Sequence, residues 1–130
     1  MWKLVMPLVL ALLLWPTGPS VASETDSRTI HVVLVWLKEP GNVAHRAQVI
    51  ETTRGFSTIP GVEEIRVGKS LRSHRPSVDD SFDIGLYITF SSTDDLQIYL
   101  SHPEHKAAQR TILRPLVKKV VIYDFRDEGT

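Results

Sequence analysis

The sequence predicts a single α+β domain in which the elements follow the order βαββαβ. Three observations predict this fold: β-rich segments at residues 29–38 and 117–125, apolar alternation at residues 82–90, and helical patterns between these strands. The chain of 130 residues has 15 basic and 15 acidic side chains and no cysteine. The charge balance argues against a nucleic-acid partner, and the lack of cysteine excludes a disulfide framework, a thiolate metal site and a cysteine nucleophile.

The first 22 residues have the layout of a signal peptide. Lys3 is followed by an apolar run over residues 4–15, interrupted only by Pro7, and the segment ends in the small residues around Ala22. About a dozen apolar residues, at 1.5 Å each, are too few to cross a bilayer about 30 Å thick. We therefore predict cleavage after Ala22, a polar leader at residues 23–28, and an exported protein, periplasmic or extracellular, with no membrane attachment. An uncleaved N-terminal anchor is the alternative.

The first half of the domain is predicted to contain a strand, a helix and a second strand. Residues 29–38 are almost continuously apolar and β-branched, which is typical of a strand buried on both faces. Side chains alternate along a strand, so one face carries His31, Val33, Val35 and Leu37. Asn42 is expected to cap a helix over residues 43–57. An edge strand over residues 62–69 and a polar loop over residues 70–81 follow.

The second half is predicted to contain a strand, two consecutive helices and a final strand. The apolar side chains that alternate along residues 82–90 are Phe82, Ile84, Leu86, Ile88 and Phe90. Ser92 and Asp95 form a capping box, and Pro103 suits the first turn of a further helix, which we expect to end near Pro115. With a last strand at residues 117–125, the order is that of a ferredoxin-like fold: a four-stranded antiparallel sheet with helices on one face.

The other face of this sheet is also expected to be apolar. The first strand is hydrophobic on both sides, and the last strand carries Val121, Tyr123 and Phe125. A lone domain of about 100 residues would then expose an apolar patch of hundreds of Å². We therefore predict a homodimer through the open sheet face, which closes two sheets into a dimeric α+β barrel.

Four segments resemble the stress-responsive A/B barrel family. They are the Tyr-Leu-Ser-His-Pro-Glu-His stretch at residues 99–105, the first strand at 31–38, Ile-Pro-Gly-Val at 59–62 and the closing Val-Ile-Tyr-Asp-Phe at 121–125. The resemblance covers residues 29–125 and leaves residues 126–130 as a C-terminal tail. It implies a dimeric α+β barrel built from ferredoxin-like subunits. The family includes plant stress proteins without a known reaction and a plant polyketide cyclase that uses no metal or organic cofactor.

The resemblance to the cyclase implies catalytic roles for Tyr99 and His105 and a ligand-binding role for His31. A further pocket histidine of the cyclase is replaced here by Ile84, which argues against polyketide substrates. The chemistry of the pair is sound, because a neutral imidazole at His105 can abstract a proton beside a carbonyl. A hydroxyl at Tyr99 can then donate to the developing enolate oxygen. No cofactor and no metal site are expected.

The candidate histidines also have structural interpretations. His102, a candidate ligand-binding residue, precedes Pro103 at a predicted helix start, where side chains often partner free backbone groups. Tyr99 and His105 could pack around the same corner without a catalytic role. His31 lies in a hydrophobic strand and could be a core residue. The spacing of these histidines on regular elements does not favour a metal site.

Three functions remain open from the sequence. The first is an exported homodimer without a reaction that binds a small apolar or aromatic ligand. The second is a cofactor-free enzyme, lyase-like, cyclase-like or isomerase-like, that acts on a small carbonyl or aromatic compound through Tyr99 and His105. The third is a purely structural dimer.

A basic cluster surrounds the second strand and the loop after it. Its members are Arg66, Lys69, Arg72, His74 and Arg75. The sequence favours a solvated loop here, balanced by the acidic residues Asp79, Asp80 and Asp83. An anion-binding site is the alternative.

Overall fold

The computed structural model describes Gly18 and residues 27–129. The predicted signal peptide, apart from Gly18, and the predicted leader, apart from Ser27 and Arg28, therefore lie outside the described residues. Within the described part of the chain, no helix is long and apolar enough to cross a membrane.

One antiparallel sheet of four strands carries the helices on one face, as the sequence predicted. The strands are β1 (Thr29–Leu37), β2 (Val62–Lys69), β3 (Ile84–Phe90) and β4 (Val117–Arg126), in the spatial order β2-β3-β1-β4. The helices are α1 (Val43–Gly55), α2 (Thr93–Ser101), α3 (Pro103–Ala108) and α4 (Arg114–Leu116). A 3₁₀ turn (Phe56–Thr58) follows α1, and a π-helical turn (Gln109–Leu113) joins α3 to α4.

The predicted helix caps are present. The Asn42 side chain accepts a hydrogen bond from a backbone N–H of α1 at 2.9 Å. At the start of α2, Ser92 Oγ accepts from the Asp95 N–H at 3.2 Å. These bonds satisfy backbone donors that have no partner inside the helix. Pro103 occupies the first turn of α3, where its missing N–H costs nothing.

The strand predicted over residues 82–90 begins only at Ile84. Just before the strand, the Asp83 N–H still donates to the Val35 carbonyl at 2.8 Å, and its carboxylate accepts backbone N–H groups from Leu37 at 2.9 Å and Gly41 at 2.8 Å. The side chain thereby fixes the turn between β1 and α1. Alternation of apolar residues does not reveal this role of the Asp83 side chain. The predicted strand is two residues longer than β3.

One helix end also differs from expectation. The helix predicted over residues 43–57 ends at Gly55, and the chain tightens into the 3₁₀ turn that places Phe56 in the core. The helical stretch that begins at Pro103 continues through the π-helical turn and α4 and ends at Leu116, one residue after Pro115, close to the predicted end. The π-helical turn before α4 was not expected.

The two faces of the sheet differ in burial. The face packed against the helices, here called the covered face, is lined on β1 and β3 by Val33, Val35, Leu37, Ile84, Leu86, Ile88 and Phe90, all buried. The opposite face, here called the open face, carries Val32, Leu34, Trp36, Tyr87, Val121, Tyr123 and Phe125, all partly or largely exposed. The burial pattern confirms the predicted alternation, and it places His31 on the covered face.

Candidate functional site

Three of the residues singled out in the sequence meet between the sheet and the helices. The Tyr99 and His105 ring centroids are 4.4 Å apart, and the His31 and Tyr99 centroids are 6.0 Å apart. All three side chains are buried, with exposed fractions of 3% for His31, 1% for Tyr99 and 6% for His105. We call this group the His–Tyr cluster.

The fold brings these residues together from three elements. Alternation along β1 turns His31 towards the helices, and Tyr99 lies on the buried side of α2, one turn after Leu96. Between α2 and α3 the backbone of His102 is extended, with φ −63° and ψ 138°. This extended residue separates the two helices, and His105 in α3 packs against Tyr99.

Two phenylalanines enclose the cluster. Phe56 lies 5.8 Å from Tyr99 and 5.3 Å from His105, ring centroid to ring centroid. Phe90 lies 5.2 Å from Tyr99 and 6.4 Å from His31. Most of these rings meet edge to face, the arrangement that their charge distribution favours. The cluster is therefore closed by aromatic packing, and a ligand enters only when side chains move.

The hydrogen bonds of the two histidines assign their tautomers. His31 Nδ1 lies 2.5 Å from the Asp124 carboxylate, and His105 Nδ1 lies 3.4 Å from the Leu100 carbonyl oxygen. Both oxygens accept, so Nδ1–H donates in each case and Nε2 carries the lone pair when the ring is neutral. Within the described residues, no hydrogen bond is made by Nε2 of His31, by Nε2 of His105 or by the hydroxyl of Tyr99.

Burial shifts the acid–base behaviour of the pair. It raises the pKa of Tyr99 far above its usual range. Burial also lowers the pKa of His105, an effect that the hydrogen bond to Leu100 opposes and that the neighbouring His31 and His102 reinforce. Near pH 7 the site therefore presents a neutral phenol and a neutral imidazole. Such an imidazole can accept a proton, and such a phenol can donate a hydrogen bond to an oxyanion.

His102 has a different place. Its Nδ1 accepts the Glu104 N–H at 3.3 Å, so the side chain caps α3, and it makes no ring contact with the His–Tyr cluster. Ile84, which stands where the cyclase has a histidine, is fully buried in the core. Among the described residues, no group of three or more histidine, aspartate or glutamate side chains is arranged to hold a metal ion.

Sequence reasoning missed three residues of the site. Asp124 orients His31, while Phe56 and Phe90 enclose the rings. A signal for Asp124 existed, since it is an acidic residue within the otherwise apolar stretch 120–125. Its partner could not be found, because that depends on the register in which β4 pairs with β1, where Asp124 lies opposite His31.

Comparison with known proteins places this geometry in context. The family model for the stress-responsive A/B barrel domain matches residues 30–127. None of the curated proteins matches the chain with significant similarity.

Several solved structures share the fold. A Dabb family protein from Mesorhizobium loti, described as ferredoxin-like, is 24% identical, with 79% of this chain and 99% of that chain covered and a TM-score of 0.64. A dimeric protein of unknown function from Bacteroides fragilis is 24% identical over 79% and 99% of the two chains, with a TM-score of 0.60. A hydroxynitrile lyase from Passiflora edulis is 20% identical over 81% and 97%, with a TM-score of 0.69. These similarities confirm the ferredoxin-like fold.

Proposed function

Because this chain belongs to the stress-responsive A/B barrel family, we propose that it is an exported homodimer in which each subunit binds a small apolar or aromatic molecule at the His–Tyr cluster. The observation that carries the proposal is Tyr99, a side chain only 1% exposed whose hydroxyl makes no hydrogen bond among the described residues. Buried polar groups in native proteins are nearly always paired. A ligand oxygen that accepts from this hydroxyl would supply the partner.

The surroundings of the hydroxyl define the ligand class. Aromatic rings of Phe56 and Phe90 pack against Tyr99, so the ligand body is apolar or aromatic. The hydroxyl donates, so the ligand carries an accepting oxygen such as a carbonyl. Burial keeps both Tyr99 and His105 neutral near pH 7, which disfavours a strongly charged ligand at this position.

The open face supports the homodimer. Tyr123 and Phe125 are about half exposed there, beside the partly exposed Val32, Leu34 and Trp36. Exposed apolar patches of this kind typically mark an interaction surface. A second copy would cover the patch with the same residues, and the related structure from Bacteroides fragilis is described as dimeric. The proposed export depends on the signal-peptide pattern at residues 1–22.

A second candidate function is cofactor-free acid–base catalysis on a small carbonyl or aromatic compound. It is favoured by the His105 tautomer, whose Nε2 lone pair can accept a proton, and by the 4.4 Å approach of the Tyr99 ring. In this reaction His105 would take a proton next to the carbonyl, and Tyr99 would stabilise the enolate oxygen. The structural similarity to a hydroxynitrile lyase is compatible with lyase-type chemistry.

Native mass spectrometry of the protein recovered from its exported compartment tests the first proposal. We expect a dimer that releases a small molecule under denaturing conditions. Tyr99→Phe removes the donating hydroxyl and should lower ligand retention about threefold to tenfold, the effect of one lost hydrogen bond. The matched control is Tyr123→Phe on the open face, which should retain the ligand.

The outcomes separate the candidates. A monomer at micromolar concentration would overturn the homodimer, and an empty dimer would favour the purely structural alternative. For catalysis, NMR titration of His105 in the wild type and in Tyr99→Phe is decisive. A His105 that titrates normally and ignores the substitution would argue against the enzyme.

A further inference from the structure

A cavity lies at the far end of the sheet from the His–Tyr cluster. It has a volume of about 520 Å³ and is bounded by the turn from β1 to α1 and by the loop from β2 to β3. This volume is within the usual range for small-molecule sites. We call it the basic cleft, because Arg46, Lys69 and Arg72 line it.

The cations of the basic cleft are unpaired. In the part of the chain that the structure describes, Arg46, Lys69 and Arg72 have no ion pair with a carboxylate. Other arginines are paired, for example Arg28 with Glu63 at 2.9 Å and Arg66 with Glu64 at 2.6 Å. Three positive side chains thus border one cavity without a partner of opposite charge.

Two carboxylates also line the cleft, but both are engaged elsewhere. Asp83 uses its two oxygens to accept the backbone N–H groups of Leu37 and Gly41. Asp80 accepts the Ser73 N–H at 2.9 Å. These bonds fix the surrounding turns and leave the cations free. With three positive and two negative side chains, the lining keeps a positive balance.

The cleft also has an apolar wall. Leu71 lines it with 80% of its surface exposed, and the half-buried Phe82 lines it next to the Trp36 ring. A single exposed leucine is ordinary on a protein surface. Here it stands beside three unpaired cations within one concave site, a combination that suits a ligand with a charged head and an apolar body.

We propose that the basic cleft binds a small organic anion. Arg46, Lys69 and Arg72 hold its carboxylate or phosphate group, and the apolar part of the ligand packs against Leu71 and Phe82. Guanidinium groups match the planar or tetrahedral oxygens of such anions through charge-assisted hydrogen bonds.

This site is separate from the His–Tyr cluster. No side chain of the cluster lines the cleft. Leu37, which is bonded to the cleft residue Asp83, lies six residues along β1 from His31, a distance of about 20 Å in a strand. The proposal therefore goes beyond the proposed function, and either can fail without the other.

Isothermal titration calorimetry of the full mature protein with octanoate, octyl phosphate and neutral octanol tests the inference. We expect one or both anions to bind and octanol not to bind. Arg46→Gln and Arg72→Gln should each weaken anion binding about tenfold, the effect of one lost charge-assisted hydrogen bond. Arg110→Gln is the matched control, because this exposed arginine lies in the π-helical turn and outside the cleft lining; it should change affinity less than about twofold.

Two further readouts sharpen the test. Leu71→Ala should weaken octanoate binding and leave the binding of inorganic phosphate unchanged, because only the apolar contact is removed. Equal thermal unfolding of the variants shows that they remain folded. The proposal is overturned if neither anion binds, if octanol binds as tightly as octanoate, or if Arg110→Gln weakens binding as much as Arg46→Gln.

Discussion

Phe90 and Phe125 lie near the same end of the sheet but on opposite faces, and their exposed fractions are 0% and 51%. Phe90 packs on the covered face against Tyr99, whereas Phe125 projects from the open face at the edge strand β4. Both are equally apolar, so residue type does not explain the difference. Two things differ: the helices pack over Phe90 and not over Phe125, and β4 is an edge strand. On β4 even Val120 and Ile122, which share the covered face with Val35 and Val33, are 46% and 50% exposed.

The difference in burial between the two faces explains why the candidate acid–base residues lie on the covered face. On the covered face the helices exclude water, so the Tyr99 hydroxyl and the His105 imidazole are shifted towards their neutral forms. On the open face, the apolar side chains are partly or largely exposed because no helix of the described residues packs over them. In the function proposed above, a ligand completes the covered face and a second subunit completes the open face.

The largest expected effect comes from Phe90→Ala. Truncation of this fully buried ring leaves a cavity beside Tyr99 and should lower the free energy of unfolding by about 3–5 kcal/mol. Urea denaturation followed by far-UV circular dichroism measures the loss. Because the contact lies within one subunit, the loss relative to the wild type should not change with protein concentration.

Phe125→Ala is the matched substitution on the open face. It removes the same type of side chain, but in the proposed homodimer the contact it weakens lies between subunits, so its effect should grow as the protein is diluted. If Phe125→Ala destabilises the protein equally at all concentrations, the open face is not the site of association.

Much of the fold could be predicted because its signals are local. The alternation along residues 82–90 identified β3 and its covered face, and Asn42 and Ser92 identified the starts of α1 and α2. The structure differs from the prediction where a side chain bonds to a segment that is distant in sequence. The Asp83 carboxylate holds the turn after β1, and no pattern within residues 82–90 encodes that contact.

The candidate site was less accessible to sequence reasoning. Tyr99 and His105 were selected through a family resemblance, since a separation of six residues permits contact without requiring it. The two rings lie 4.4 Å apart because of the corner at His102. The sequence predicts a helix start there but not the angle between α2 and α3. The pairing of His31 with Asp124 depends on strand register, which no local pattern contains.

A smaller effect is expected from pH, and it tests the water exclusion at the covered face. Burial lowers the pKa of His105 below its ordinary value of 6.5, so the unfolded chain binds more protons than the folded chain at pH values below 6.5. Stability should therefore be fully present above pH 6.5 and should decrease as the pH falls below it. Urea denaturation across this range measures the slope.

His105→Gln provides the control for this slope. Glutamine has a similar size but does not titrate, so the variant should lose less stability than the wild type between pH 6.5 and more acidic values. An unchanged slope would show that His105 is hydrated in the folded chain. The covered face would then exclude water less completely than the burial of His105 indicates.

The smallest effect on stability is expected from Tyr99→Phe. The substitution keeps the ring contacts with Phe56, Phe90 and His105 and removes only the hydroxyl, which has no hydrogen bond among the described residues. Removing an unpaired polar group from a buried site should change the free energy of unfolding of the ligand-free protein by about 1 kcal/mol or less, in the stabilising direction. Urea denaturation of ligand-free protein measures it, with Tyr87→Phe on the open face as the control. A loss well above 1 kcal/mol would mean that the hydroxyl is already bonded, and the ligand would then have no unpaired donor to satisfy.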